Sequence, residues 1–110
     1  MTDKEDFITS VYEIVRLIPY GRVTSYGAIA KAVGYSSLSR MVGAVMGQCN
    51  ASIPAHRVVN SQGKLSGKRA FGHSEEMQKL LEMEGIIVKN DMIKNWKLVF
   101  WDPQVEIELF

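Results

Sequence analysis

Only one cysteine, Cys49, occurs in the 110 residues, which excludes an intrachain disulfide. No apolar run approaches the ~20 residues needed to cross a bilayer. The amino terminus, Met-Thr-Asp-Lys-Glu-Asp, lacks the basic-then-apolar order of an export signal. No membrane partner is therefore expected, and the expected compartment is the cytoplasm. Excess charge is missing too: 13 Lys and Arg against 12 Asp and Glu leave a net charge of +1. That excludes a uniformly basic nucleic-acid binder. Any DNA contact must be a local patch with a modest, salt-sensitive electrostatic contribution. Internal repeats, low-complexity runs and linkers are absent as well. What is present is 46% apolar and 23% charged residues, enough for one packed domain.

Thr2 and Glu5 have the spacing of a capping box, which predicts a helix starting near Asp3. Phe7, Val11, Ile14, Val15 and Ile18 recur at helical spacing as its apolar face, and Pro19 and Gly21 end it. Arg22 to Ser25 reads as extended, with Ser25 capping a helix over Tyr26–Val33 that Gly34 closes. Tyr35-Ser36-Ser37 is a turn, and Leu38 to about Gln48 is a second short helix. The two helices and their Gly-containing turn predict a helix-turn-helix. Beyond Pro54, Arg57-Val58-Val59-Asn60 reads as extended and Ser61-Gln62-Gly63 as a turn. Lys64 to His73 reads as a loop. Ser74, Glu75 and Glu76 open a third helix closed by Gly85. Ile86-Ile87-Val88, Met92-Ile93 and Trp96 to Trp101 read as short strands of a C-terminal hairpin. The expected fold class is mainly α with a small β hairpin, a winged-helix-like domain containing a helix-turn-helix. It spans residues 1–102, and 103–110 form a tail. Val105 to Phe110 alternates apolar and acidic residues, which fits an edge strand or a frayed end equally.

The second short helix carries the first functional signal. Leu38, Met41, Val42 and Val45, with Met46 beside them, should pack on the core. The opposite face holds Ser39, Arg40, Gly43, Ala44 and Gly47. A glycine costs a helix interior roughly 1 kcal/mol relative to alanine. Two on one stripe call for close packing against a neighbouring element or for close approach of a nucleic-acid backbone. Major-groove helices carry long polar side chains that reach base edges, and this face has almost none. Its smoothness suits the minor groove, with Arg40 the single group able to fill the gap left by an extruded base. On its own Arg40 reads as a solvated surface arginine, the commoner outcome for a lone arginine.

In the third helix Met77, Leu80 and Leu81 mark the buried face, and Glu84 continues it. A carboxylate placed there needs a partner, such as His56, an asparagine or backbone amides, unless it sits at a frayed helix end. Lys64, Lys68, Arg69 and His73 form either a solvated loop or a contact to a nucleic-acid backbone or base. Cys49 reads as a small apolar filler.

Three segments, Pro19-Tyr20-Gly21-Arg22-Val23-Thr24-Ser25-Tyr26-Gly27, Arg40-Met41-Val42-Gly43 and Ile53-Pro54-Ala55-His56-Arg57-Val58-Val59, resemble the O6-alkylguanine-DNA alkyltransferase family. The likeness runs from about Phe7 to Gly85, in order and with similar spacing, and Pro-x-His-Arg-Val-Val is highly specific. The family carries its alkyl-accepting cysteine between that Pro and His, where this chain has Ala55. The resemblance therefore implies the alkyltransferase-like branch, which keeps the DNA-binding fold and lacks the nucleophile. Its implied function is non-enzymatic recognition of O6-alkylguanine in double-stranded DNA. It would act through the minor groove by nucleotide flipping and flag the lesion for nucleotide excision repair proteins. A monomer is expected, with no metal and no other cofactor.

By the same resemblance Tyr26 rotates the target phosphate and Arg40 fills the vacated stack. Ser39, Gly43, Ala44 and Gly47 lie in the groove. Tyr26, Pro54, Ala55, Arg57, Val58, Ser66, Lys68 and Arg69 wall the alkylguanine pocket. Active members use a Cys-His-Glu relay, in which a histidine held by a carboxylate makes the thiolate accessible. Ala55, His56 and Glu84 are its implied remnant, and alanine leaves room for bulkier adducts. The chain departs from the pattern at Leu65, where the family has an aromatic before its Ser-Gly pair. The segment between Arg40 and Pro54 is slightly short, so no role passes to Cys49 or Asn50. Two other readings stand beside this one: a transferase, active through another acceptor or inactivated by engineering at Ala55, and a winged-helix regulator that binds undamaged DNA.

Overall fold

The computed structural model describes residues 3–47, 53–65 and 75–107. Helix α1 (Asp3–Leu17) buries Phe7, Val11 and Val15 on one face, and Ile18 follows them into the core. Ile14 packs at its edge. Strand β1 (Thr24–Ser25) runs directly into α2 (Tyr26–Val33). Ser25 caps that helix, its hydroxyl accepting the Ala28 amide at 3.0 Å. Gly34 ends it in the left-handed region at φ 106°, and the Tyr35 amide reaches back to the Ala30 carbonyl at 2.9 Å. A 3-10 turn, Ser36–Leu38, leads into α3 (Ser39–Gly47) and completes the helix-turn-helix.

A second 3-10 turn, Ala55–Arg57, precedes β2 (Val58–Val59). Arg57 was expected to begin the extended segment. It closes this turn instead, its amide bonded to the Pro54 carbonyl at 3.0 Å. Strands β1 and β2 pair in parallel, Thr24 with Val58 and Ser25 with Val59. This pair divides two cores. Val58 packs with the buried faces of α1, α2 and α3, and Val59 packs with Leu65, Met77, Leu81, Val88 and Ile93. Adjacent strand residues point to opposite sides, so two valines serve both cores.

Helix α4 (Glu76–Met83) covers the second core, and Gly85, at φ 86°, turns the chain beyond it. Strands β3 (Val88–Lys89) and β4 (Met92–Ile93) form the expected hairpin. Its two turn residues, Asn90 and Asp91, both have positive φ (54° and 62°), the geometry that matches the twist of two-residue hairpins. The hairpin has a further neighbour. Lys64 bridges Met92, and Leu65 is 1% exposed, so these two residues pair with β4 where a loop was expected.

Two further expectations fail. Trp96 to Trp101 is not a strand: α5 (Trp96–Val99) is a helical turn, and Phe100 makes an isolated bridge to Val23. Its aromatic and β-branched composition matches strand propensity, but the contacts are tertiary. Trp96 lies over Gly63, where an added Cβ would meet its ring at 3.1 Å, and its ring lies tilted at 47° against Phe100, centroids 5.1 Å apart. The chain beyond Asp102 is neither an edge strand nor frayed up to Ile107. Asp102 caps α6 (Pro103–Glu106) through the Gln104 amide, and Pro103 is buried. Arg22 fastens this end to the domain, donating to the Val99 and Phe100 carbonyls at 3.1 and 2.6 Å and pairing with Glu106 at 3.4 Å.

Candidate nucleic-acid interface

The parallel pairing of β1 and β2 builds the site. Because Ser25 lies opposite Val59, the residues that follow, Tyr26 and Asn60, emerge side by side. The N-terminal turn of α3 meets them. Tyr26, Gly27, Ser39, Arg40, Gly43, Asn60 and Ser61 line an open cleft of about 360 Å³. Tyr26 is half-buried and packs against the edge of the first core, as does Ala55. Arg40 is exposed and pairs with no acid among the described residues.

The outer face of α3 answers the question posed by its glycines. Among the described residues, a Cβ on Gly47 would meet nothing within 4 Å, and one on Gly43 would reach only the Tyr26 ring at 4.0 Å. Packing against the described residues therefore does not require either glycine. Ala44 is exposed beside them. Met41, expected in the core, is 46% exposed on this side. The buried arc is centred on Val42, Val45 and Met46, which turns Met41 outward.

Behind the site lies Glu84, just past the end of α4, with its side chain 5% exposed. It gathers three segments. His56 Nε2 donates to Oε2 at 2.5 Å, and the Gly21 amide donates to Oε1 at 2.7 Å. Arg57 Nε donates to both oxygens at 3.0 and 2.9 Å, and the remaining Arg57 nitrogens reach Oε2 and the Ile18 carbonyl, each at 2.9 Å. The Arg57 guanidinium also lies 5.7 Å over the Tyr20 ring, whose hydroxyl donates to the Met83 carbonyl at 2.8 Å. Burial alone pushes the Glu84 carboxyl up. Arg57, His56 and the Gly21 amide together hold it below its ordinary value of 4.5. The carboxylate expected to need a partner thus has three, and the frayed-end alternative is excluded.

The residues expected to form the site fall into three groups. Tyr26, Ser39, Arg40 and Gly43 share the cleft, and Ala44 and Gly47 continue the α3 face beyond it. Pro54, Ala55 and His56 are partly exposed, whereas Arg57 is held by Glu84 and Val58 is 1% exposed in the first core. Ser66, Lys68 and Arg69, with Cys49, Asn50 and His73, lie outside the described residues. Sequence reasoning missed Gly27, Asn60 and Ser61. Asn60 and Ser61 were legible as turn residues, but their place at the cleft depends on the parallel strand pairing. It also left Tyr20 and Arg22 without physical roles and read Gly21 only as a helix stop, although each fastens the domain. No helix among the described residues is long and apolar enough to cross a membrane.

A helix-turn-helix presenting a smooth face, with a carboxylate–histidine pair behind it, gives the domain the form of a DNA-binding module. Residues 6–86 match the family described as 6-O-methylguanine DNA methyltransferase, DNA binding domain, and the chain belongs to it. It is 40% identical over 106 residues to alkyltransferase-like protein 1 of Schizosaccharomyces pombe, a match covering 90% of this chain and 97% of that protein. It is 40% identical over 87 residues to a DNA base-flipping protein of Vibrio parahaemolyticus, covering 76% of this chain and 84% of that one. The crystal structure of S. pombe Atl1 with damaged DNA containing O6-carboxymethylguanine superposes with a TM-score of 0.78 at 38% identity, covering 92% of this chain and 98% of that one.

The Glu84 cluster makes stability depend on acid pH. A carboxyl whose folded pKa is depressed contributes its stability in full above the unfolded value, and that contribution is lost as pH falls through the folded value. Glu84→Gln should lower stability at pH 7 by about 3 kcal/mol, the low end of the cost of stranding one partner of a buried ion pair. Below about pH 4.5 the wild type should lose stability more steeply than the variant. Thermal unfolding from pH 3 to 7 measures both, and parallel curves would refute the assignment.

Proposed function

We propose that this protein recognises O6-alkylguanine in duplex DNA without repairing it. On this reading the duplex meets the outer face of α3 through its minor groove. The damaged nucleotide is flipped out, and the long-lived complex marks the site for nucleotide excision repair proteins. The observation that carries the proposal is local. His56 and Glu84 stand hydrogen-bonded at 2.5 Å, and the residue before His56 is Ala55. In the family's pattern that position is the acceptor cysteine. A methyl group there has no lone pair to attack an alkyl carbon, so the site retains binding elements without a nucleophile.

The cleft suits the remaining steps. Tyr26 begins α2 beside backbone amides that favour an anion, which suits a target phosphate. Arg40 reaches out from a face otherwise made of small residues and Met41, and it occupies the gap in the stack. Flipping costs a few kcal/mol, less for a poorly paired lesion, which supplies selectivity. Ala55, with Pro54 beside it, leaves space for the alkyl group.

One experiment tests the proposal as a whole. Duplexes with and without O6-methylguanine are titrated with the protein, and the intact protein is then weighed. Tighter binding of the lesion with unchanged mass is expected. A gain of one methyl group would show a transferase with another acceptor, and equal binding of both duplexes would support a reader of undamaged DNA.

Arg40 and Gly43 give finer tests. Arg40→Ala should weaken lesion binding by roughly 1–3 kcal/mol, as for side chains that stack on bases. The loss should shrink on a duplex whose target base is already unpaired. Equal losses on both duplexes would reduce Arg40 to a phosphate contact. Gly43→Ala should move two properties in opposite directions. The free protein should gain up to about 1 kcal/mol from helix propensity, while DNA binding weakens because a methyl group enters the groove contact. Unchanged DNA affinity in that variant would remove the close-approach account of α3.

A further inference from the structure

The turn after β2 connects the cleft to the C-terminal hairpin. Asn60 and Lys64 face each other across a three-residue loop. The Asn60 amide donates to the Lys64 carbonyl at 3.0 Å, and Gly63, at φ 83°, closes the loop onto the Asn60 carbonyl at 3.0 Å. The Asn60 side-chain oxygen also accepts the Gln62 and Lys64 amides at 2.9 and 2.8 Å, so the loop is rigid. Lys64 then bridges Met92, and Met92 pairs with Lys89. Directly opposed residues in antiparallel pairs share a face. Asn60, Lys64, Met92 and Lys89 therefore form one row across the sheet, while Leu65, Ile93 and Val88 fill the core behind it. Lys94, two residues beyond Met92, falls on the same outer face.

The row begins at the lip of the cleft. Strands lie ~4.8 Å apart, so its three steps extend ~14 Å from Asn60 to Lys89. That length is several times the ~3.4 Å axial rise per phosphate of one DNA strand, so the row can meet more than one phosphate. The charge is one-sided: Lys64, Lys89 and Lys94 are exposed and make no ion pair among the described residues. Asp91, at the hairpin tip, is the only acid between Ile86 and Lys97. In a chain with a net charge of +1 this is a local cationic strip, continuous with the groove-facing cleft.

We infer that the outer face of this hairpin is a second DNA contact, in which Lys64 and Lys89 follow the phosphate backbone away from the cleft. The inference rests on the cleft being the DNA site. It adds a sequence-independent and lesion-independent grip to a cleft that selects the lesion.

The test compares wild type, Lys64→Gln, Lys89→Gln and the double variant, titrated at several salt concentrations on lesion and undamaged duplexes. Lys79→Gln, on the exposed side of α4, is the control. Each row substitution should weaken binding several-fold on both duplexes and leave their ratio unchanged. Each should also reduce the slope of log K against log salt by about 0.9, and the double variant by about twice that. Slopes equal to wild type would overturn the inference, as would an equal reduction in Lys79→Gln, which would signal only the general field of the protein. Wild type that fails to prefer the lesion while the lysine slopes fall as expected would overturn lesion recognition and leave the hairpin contact standing. No binding of either duplex would overturn both.

Discussion

One carboxylate holds the working parts of this domain in register. Glu84 is presented just past the end of α4, and it ties down the Gly21 amide before β1 and the His56–Arg57 turn before β2. Those two strands pair in parallel, and their far ends deliver Tyr26 and Asn60 to the cleft. The near ends of both strands are therefore fixed by the same two oxygen atoms. Arg57 extends the junction to α1 through the Ile18 carbonyl. A buried charge is tolerated here because every acceptor site it offers is filled by a donor, two of them on a guanidinium. Loss of any one partner leaves the rest of a buried ionic cluster uncompensated, which makes the junction cooperative.

This architecture changes what His56 and Glu84 signify. In a transferase their pairing reads as a relay that serves a thiol. In this chain the same pairing is sufficiently explained by structure, since Glu84 also holds Arg57 and Gly21. On the proposed reading, a chain without an acceptor at position 55 still cannot replace Glu84 without loosening both strands. The presence of the pair is thus no sign of catalysis. The chemistry of position 55 and the mechanics of position 84 are separable, and a binding protein can keep the second without the first.

Much of this was legible in the sequence, for identifiable reasons. Helices α1 to α4 followed from periodicity, from the Ser25 cap and from Gly34 and Gly85, all of which are local signals. Glu84 stood out as a carboxylate on an apolar face. The failures are tertiary. Trp96 and Phe100 carry strand-like composition but fold as a helical turn, because Trp96 covers Gly63 and Phe100 reaches across to Val23. Met41 was assigned to the core by spacing, yet an eight- or nine-residue helix has several rotations with an apolar stripe, and only packing selects one. Asn60 and Ser61 looked like ordinary turn residues, since nothing local reveals a parallel partner more than thirty residues away. Arg22 looked like a motif residue without a mechanism, because its carbonyl partners lie at the other end of the chain.

The domain thus separates rigidity from contact. Its tightest interactions, the Glu84 cluster and the Arg22 clasp, lie behind the strands, where they fix geometry. The outer surface is built the other way: Gly43 and Gly47 cost helix stability and gain nothing from packing on the described residues, and Met41 beside them is exposed. A helix of nine residues is marginal in isolation, so two glycines in α3 are sustainable only because α2 and the first core hold its buried arc. On the proposed reading, that division suits a protein whose partner must be distorted. Flipping a nucleotide requires the protein surface to stay in place while the duplex yields, and a surface that repacked on contact would relieve the strain it has to impose. The small side chains of α3 have little freedom to repack. The one flexible cation among them, Arg40, therefore stands on a support held in place by the strands behind it.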